Sequence, residues 1–112
     1  MTAQEELIER LRTALAGEAS VREVSMFGGR SFMVHEAMIV SALQGGDLLV
    51  RVDAQQHEEL LARPGASQAE MGAGRSMGRG WLSLSADVIS DEQGLVFWLD
   101  AALTHNRSTA RA

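Results

Sequence analysis

The chain has no cysteine, no lysine and no tyrosine, and Pro64 is its one proline. Without cysteine there is no disulfide, thiolate zinc site, iron–sulfur cluster or cysteine nucleophile, so a metal would need histidine and carboxylate ligands. Without lysine, Schiff-base catalysis and a Walker A phosphate loop are excluded. All basic side chains are arginine, a bias that points to a GC-rich bacterial genome rather than to a physical requirement. The first residues, Met1-Thr2-Ala3-Gln4-Glu5-Glu6, lack the basic region and apolar core of a signal peptide. No apolar run approaches the roughly 20 residues that cross a bilayer. The expected location is therefore cytoplasmic, away from membranes. A net charge of −5 argues against direct nucleic-acid binding, which draws its affinity from neutralised phosphates.

What is present patterns as one domain. Thr2 with Glu5 has capping-box spacing, and Leu7, Ile8, Leu11, Ala14 and Leu15 then recur at helical period until Gly17. Strands are expected at Val21 to Phe27, Ser31 to His35, Ala37 to Gln44 and Leu48 to Val52, divided by Gly28-Gly29, the His35-Glu36 turn and Gly45-Gly46-Asp47. On these strands Phe32 and Val34 share a face, as do Met38, Val40 and Ala42, and Leu48, Val50 and Val52. Asp53 caps a short helix through Leu60 and Leu61, which Pro64-Gly65 ends. Trp81 to Ser85 alternates as a further strand, with Gln68 to Met71 as its possible pair. Ser90 and Gln93 again have capping-box spacing, ahead of a helix with Leu95, Trp98, Leu99, Ala102 and Leu103 on one face. The expected fold is α+β in two layers, in the order α-β-β-β-α-β-β-α, with helices on one face of a mostly antiparallel sheet. Residues 1–106 form its single domain and 107–112 a frayed tail.

The candidate chemistry concentrates in Met71-Gly72-Ala73-Gly74-Arg75-Ser76-Met77-Gly78-Arg79-Gly80-Trp81. Its spacing is wrong for GxGxxG, and a strand rather than a helix follows, so it is no dinucleotide loop. Arg75 and Arg79, with Arg30 and beside Trp81, could hold a carboxylate, a phosphate or an acidic partner. The competing and favoured reading is a turn whose glycines (Gly74, Gly78 and Gly80, like Gly28 and Gly29) suit the backbone and whose arginines pair with the domain's own acids. Asp53 and His57 share a helix face but are too few for a closed metal site, and read as a cap and a solvated histidine. The serines lack nucleophile-elbow context. The carboxylate pairs are sequential and diverge. Methionines 26, 33, 38, 71 and 77 read as core gap-fillers, with an adaptable groove as the alternative. No catalytic residue, cofactor site or metal site emerges.

Met26-Phe27-Gly28-Gly29, Phe32-Met33-Val34, Leu48-Leu49-Val50-Arg51-Val52 and Gly74-Arg75-Ser76-Met77-Gly78-Arg79-Gly80-Trp81 together resemble the N-terminal domain of the TfoX (Sxy) family. The resemblance spans roughly residues 5 to 106. It implies a small α+β domain with a curved antiparallel sheet, related in fold to secretion-chaperone-like and YjbR-like proteins. It also implies a regulator, since the family's named members govern natural competence together with a transcription activator and carry a second, helical C-terminal domain. Here the expectation is a stand-alone N-terminal module. Two features depart from the family: His35-Glu36-Ala37 replaces a turn that is often Asn-Gly, and the basic, proline-containing tail of some relatives is missing. The resemblance supplies no catalytic residues. The leading expectation is a non-enzymatic regulatory or protein-interaction module with a protein partner, and homodimerisation is compatible with it. The alternative is a small-anion or nucleotide-binding domain using Arg30, Arg75 and Arg79.

Overall fold

The computed structural model describes residues 1–112 except Phe27, Ala73, Arg111 and Ala112, together with the Ala110 side chain. Helix α1 spans Ala3–Ala14 and starts as its sequence predicts. The Thr2 hydroxyl accepts the Glu5 amide at 3.1 Å, and the Glu5 carboxylate accepts the Thr2 amide at 2.9 Å. Strands follow at β1 (Val21–Met26), β2 (Gly29–Val34), β3 (Ala37–Ala42) and β4 (Leu48–Arg51), then the short helix α2 (His57–Leu61), then β5 (Ala66–Gln68) and β6 (Trp81–Leu84). Helix α3, Glu92–Ala110, is the last element. All six strands form one antiparallel sheet in the order β1-β2-β3-β4-β6-β5. The α+β architecture read from the sequence is the one observed, with four strands rather than the three of the expected order ahead of α2.

Strand alternation divides the sheet into two unlike faces. Phe32, Val40, Val50 and Leu82 face one another across four strands, and Ala42, Leu48 and Leu84 form the next row. These residues are buried in one core with Leu7, Leu11 and Leu15 of the α1 region, Leu60 of α2, and Leu95, Trp98, Leu99 and Ala102 of α3. The helices therefore cover this face, which removes its apolar area from water. The intervening row, Val24, Ser31, Ser41, Leu49, Ser83 and Ser67, lies on the other face. Ser31 and Ser41 are nevertheless fully buried and hydrogen-bond each other at 3.0 Å, which satisfies a polar pair at the sheet centre.

A β-bulge corrects the expected face of Met38. Phe32 pairs with Val40 but Met33 pairs with Met38, so Ile39 is the extra residue. Ile39 and Val40 are both buried, while Met38 shifts opposite Met33 and leaves the core. The methionines as a group depart from the gap-filling role. None is among the buried core residues: Met26, Met33, Met38 and Met77 are half-buried, and Met1 and Met71 are exposed.

Helix α3 also begins and ends differently from its sequence reading. Asp91, rather than Ser90, caps it by accepting the Gly94 amide at 2.9 Å, while the Ser90 hydroxyl donates to the Asp87 carbonyl. The chain continues as helix past Asn106, where fraying is expected, to Ala110. Asn106 is buried and donates to the Val34 carbonyl at 3.0 Å, and Arg107 pairs with Glu18 at 3.0 Å, so tertiary contacts extend the helix.

The link between β2 and β3 is the two-residue turn His35-Glu36, with φ of 52° and 63°. A two-residue hairpin link with both φ values positive favours Asn-Gly, and each ordinary residue held there costs about 1 kcal/mol of backbone strain. Glu36 offsets part of this by pairing with Arg22 at 3.0 Å, a surface contact that salt screens. His35→Asn combined with Glu36→Gly is expected to raise the melting temperature by roughly a few degrees. Calorimetry checks this, and an unchanged or lower value would mean that the ion pair outweighs the strained turn.

Candidate functional site

The glycine-arginine segment is an extension of the β5–β6 hairpin rather than an open loop. The Ala69 amide donates to the Trp81 carbonyl at 3.2 Å, the Met77 amide to Ala69 at 2.9 Å, and the Met71 amide to Arg75 at 2.7 Å, with Glu70 bridging Ser76. Met71, Met77 and Ala69 enclose a cavity of about 230 Å³ together with Leu43, Leu49 and Ser83. Leu49 and Ser83 belong to the helix-free face, so the hairpin tip folds over that face.

The hairpin's base is pinned to α2 and β4. The Gly80 amide donates to Nδ1 of His57 at 2.8 Å, and the Val52 amide donates to the Gly80 carbonyl at 2.8 Å. His57 is therefore not the solvated histidine expected from its helix position. It is buried, and because Nδ1 accepts, its neutral ring carries the proton on Nε2. Asp53 does cap, accepting the Gln55 amide at 2.9 Å. Among the described residues no group of three His, Asp or Glu side chains could hold a metal ion.

The sequence-predicted site residues separate into distinct places. Arg79 donates to Glu58 at 2.9 Å and to the Ala54 carbonyl at 3.1 Å, tying the hairpin to the α2 segment. Arg75 lies exposed at the tip, and its side chain has no ion-pair partner among the described residues. Trp81 pairs with Arg51 across β6 and β4, and the Arg51 guanidinium sits over its ring, 5.1 Å from the centroid. Arg30 is elsewhere. It pairs with Ala42 in the strand row that continues through Leu48 to Leu84, at the end of β6 away from Trp81. Its guanidinium donates to Glu23 at 3.0 Å, and Arg12 meets the same carboxylate at 2.7 Å. Arg12 chiefly, with Arg30, holds the Glu23 carboxyl below its ordinary pKa. Of the marked glycines, Gly28, Gly74, Gly78 and Gly80 have positive φ, and Gly29 does not.

One constellation has no counterpart in the sequence reading. The β3–β4 ladder ends at Val40 and Val50, and beyond it a cavity of about 280 Å³ opens, lined by Met38, Arg51, Trp81, His105, Asn106 and Thr109 among others. Burial first, and then the Arg51 charge, push the His105 imidazole below its ordinary pKa, with Asp53 acting in the opposite sense. These groups come from β3, β4, β6 and α3, and no local spacing announces them.

A six-stranded antiparallel sheet with helices on one face and a glycine-rich hairpin folded over the other defines a small α+β domain. The chain belongs to the TfoX N-terminal domain family, whose family model matches residues 13–106. No curated protein matches it. Among the described residues no helix is long and apolar enough to cross a membrane. Family membership points to a regulatory or interaction domain in general terms.

Proposed function

We propose that this domain is a non-enzymatic regulatory module that binds a protein partner through the tip of its β5–β6 hairpin. The observation that carries the reading is the pairing at that tip of Arg75, a cation without a counter-ion among the described residues, with Met71, which is 53% exposed beside an apolar cavity. Flexible, polarisable methionines adapt to apolar anchors, and an arginine fork adds a directional contact to a carboxylate. The partner that fits is an acidic protein segment with an apolar side chain for the cavity above Leu49 and a carboxylate for Arg75. Arg79 is already engaged by Glu58, which weakens the case for a two-arginine anion or nucleotide site. Transcription or competence regulation is the process that the family suggests.

The test is capture from the host's own lysate, read by mass spectrometry, with wild type beside Met71→Ser/Arg75→Ala and Arg30→Ala. A partner kept by wild type and Arg30→Ala but reduced about tenfold by the tip variant supports the reading, and each tenfold corresponds to about 1.4 kcal/mol. Equal capture of every partner by the tip variant would remove this surface.

A further inference from the structure

The cleft beyond the β3–β4 ladder combines features that a merely structural packing defect does not need. The Arg51 guanidinium is half-buried, stacks on Trp81 and donates one N–H to the Arg79 carbonyl at 3.2 Å, yet among the described residues it has no carboxylate partner. Burial and Arg51 shift His105 toward its neutral form, against a smaller opposing effect of Asp53, and a neutral imidazole can donate one ring N–H. Asn106 is buried, and its orientation is fixed because only the amide nitrogen can donate to the Val34 carbonyl. Its Oδ1 is consequently an acceptor with no hydrogen-bond partner, the one such buried side-chain atom among the described residues. A buried acceptor left unmatched costs about 1–3 kcal/mol, and the residue that carries this one is part of the cavity wall, so a small turn of its side chain would offer the acceptor to a donor there. Met38, Ile39 and Ala102 make the remaining wall apolar.

We infer that this cleft binds a small apolar carboxylate that carries an N–H donor close to its charge, the chemistry of an N-acylated apolar amino acid. The carboxylate pairs with Arg51 and with the His105 N–H, the amide N–H serves the Asn106 acceptor, and the apolar side chain rests against Met38 and Ile39. The volume of about 280 Å³ falls just below the roughly 300–1,000 Å³ of pockets for drug-sized ligands, which limits the ligand to about one residue. That residue is either a free N-acyl amino acid or the last residue of a peptide, since both present the same groups. The site is separate from the Arg75 tip, so either can fail without the other.

The experiment is a nuclear magnetic resonance titration of the full chain with N-acetyl-leucine, followed at the two indole N–H signals. Saturable movement of the Trp81 signal, with Trp98 unmoved, is expected. N-acetyl-leucinamide, which lacks the charge, and the Arg51→Gln variant are each expected to bind at least about tenfold more weakly, a loss of about 1.4 kcal/mol. A peptide ending in leucine assigns the source: tighter binding than N-acetyl-leucine indicates a chain terminus, and equal binding a free ligand, both in support. No saturable movement at millimolar N-acetyl-leucine, or movement matched by the amide or by acetate, would overturn the inference. The ligand comparison needs only wild type, so it decides the matter even if Arg51→Gln does not fold.

Discussion

Alanine at Gly80 is expected to lower the unfolding free energy of this domain by about 2–6 kcal/mol, a large share of the total stability of a small domain. Two separable costs combine. Gly80 has a φ of +91°, where an L-residue holds about 1–3 kcal/mol of backbone strain. A β-carbon there would also overlap the Arg51 guanidinium and approach the Val52 carbonyl to 2.7 Å, and overpacking of this kind costs about 1–3 kcal/mol. Neither neighbour is free to retreat. Val52 donates to the Gly80 carbonyl, and Arg51 is stacked on Trp81 and bonded to Arg79. Gly78→Ala is the control. Gly78 has a similar φ of +96° but no described atom within 4 Å of a β-carbon, so only the backbone term of about 1–3 kcal/mol applies. Urea denaturation of the two variants checks the ordering, and a Gly80→Ala loss no greater than that of Gly78→Ala would show that the strand ends yield to the side chain.

Gly29→Ala is expected to cost about 3 kcal/mol for a different reason, at the upper end of the usual overpacking range. Gly29 does not have positive φ, so backbone strain plays no part. A β-carbon would instead overlap the carbonyl of Ala42 and lie 3.2 Å from the Cα of Leu43. Those are backbone atoms at the end of β3, held by the β2–β3 and β3–β4 ladders, so the sheet itself would have to shift. Gly28, one residue earlier, reverses the pattern: its φ is +73° and no described atom stands within 4 Å of its β-carbon position. Gly28→Ala is accordingly expected to lose only about 1–2 kcal/mol. Thermal and urea unfolding of the pair would check this. Equal losses at the two positions would mean that β3 accommodates the methyl group. The adjacent glycines of the Met26-Phe27-Gly28-Gly29 motif thus answer two needs, a turn at one and a close approach at the other, while Phe27 lies outside the described residues.

Local signals carried most of the fold. The capping box at Thr2, the helical period of Leu7 and Leu11, and the alternation of Leu48, Val50 and Val52 involve neighbours a few residues apart, so they show in the sequence. The bulge at Ile39 does not, because it exists only relative to β2, and Met38 consequently reads as a core residue. His57 looks like any polar residue in the first turn of a helix until Gly80, 23 residues away, supplies the amide that occupies its ring nitrogen. The glycine-arginine segment was legible as a feature but not as a geometry. Its arginines look alike in sequence, yet Arg79 is tethered to Glu58 and Arg75 is not. The cleft of Arg51, His105 and Asn106 had no local trace, since it depends on where the β3–β4 ladder stops and on how far α3 extends.

The strand order also bears on how the molecule assembles. β1 to β4 are joined in sequence, each to its neighbour, and form a meander whose contacts close over short stretches of chain. β6 reaches β4 only after α2, β5 and the glycine-rich tip have been looped out, and that longer closure is entropically dearer. β5, the edge strand, and the glycine-rich tip are thus the natural piece to open while β6, whose Leu82 and Leu84 are buried in the core, stays with the meander. The tip proposed above to meet a partner belongs to that piece, so exchange of its amide hydrogens would report on the proposed site without unfolding the rest.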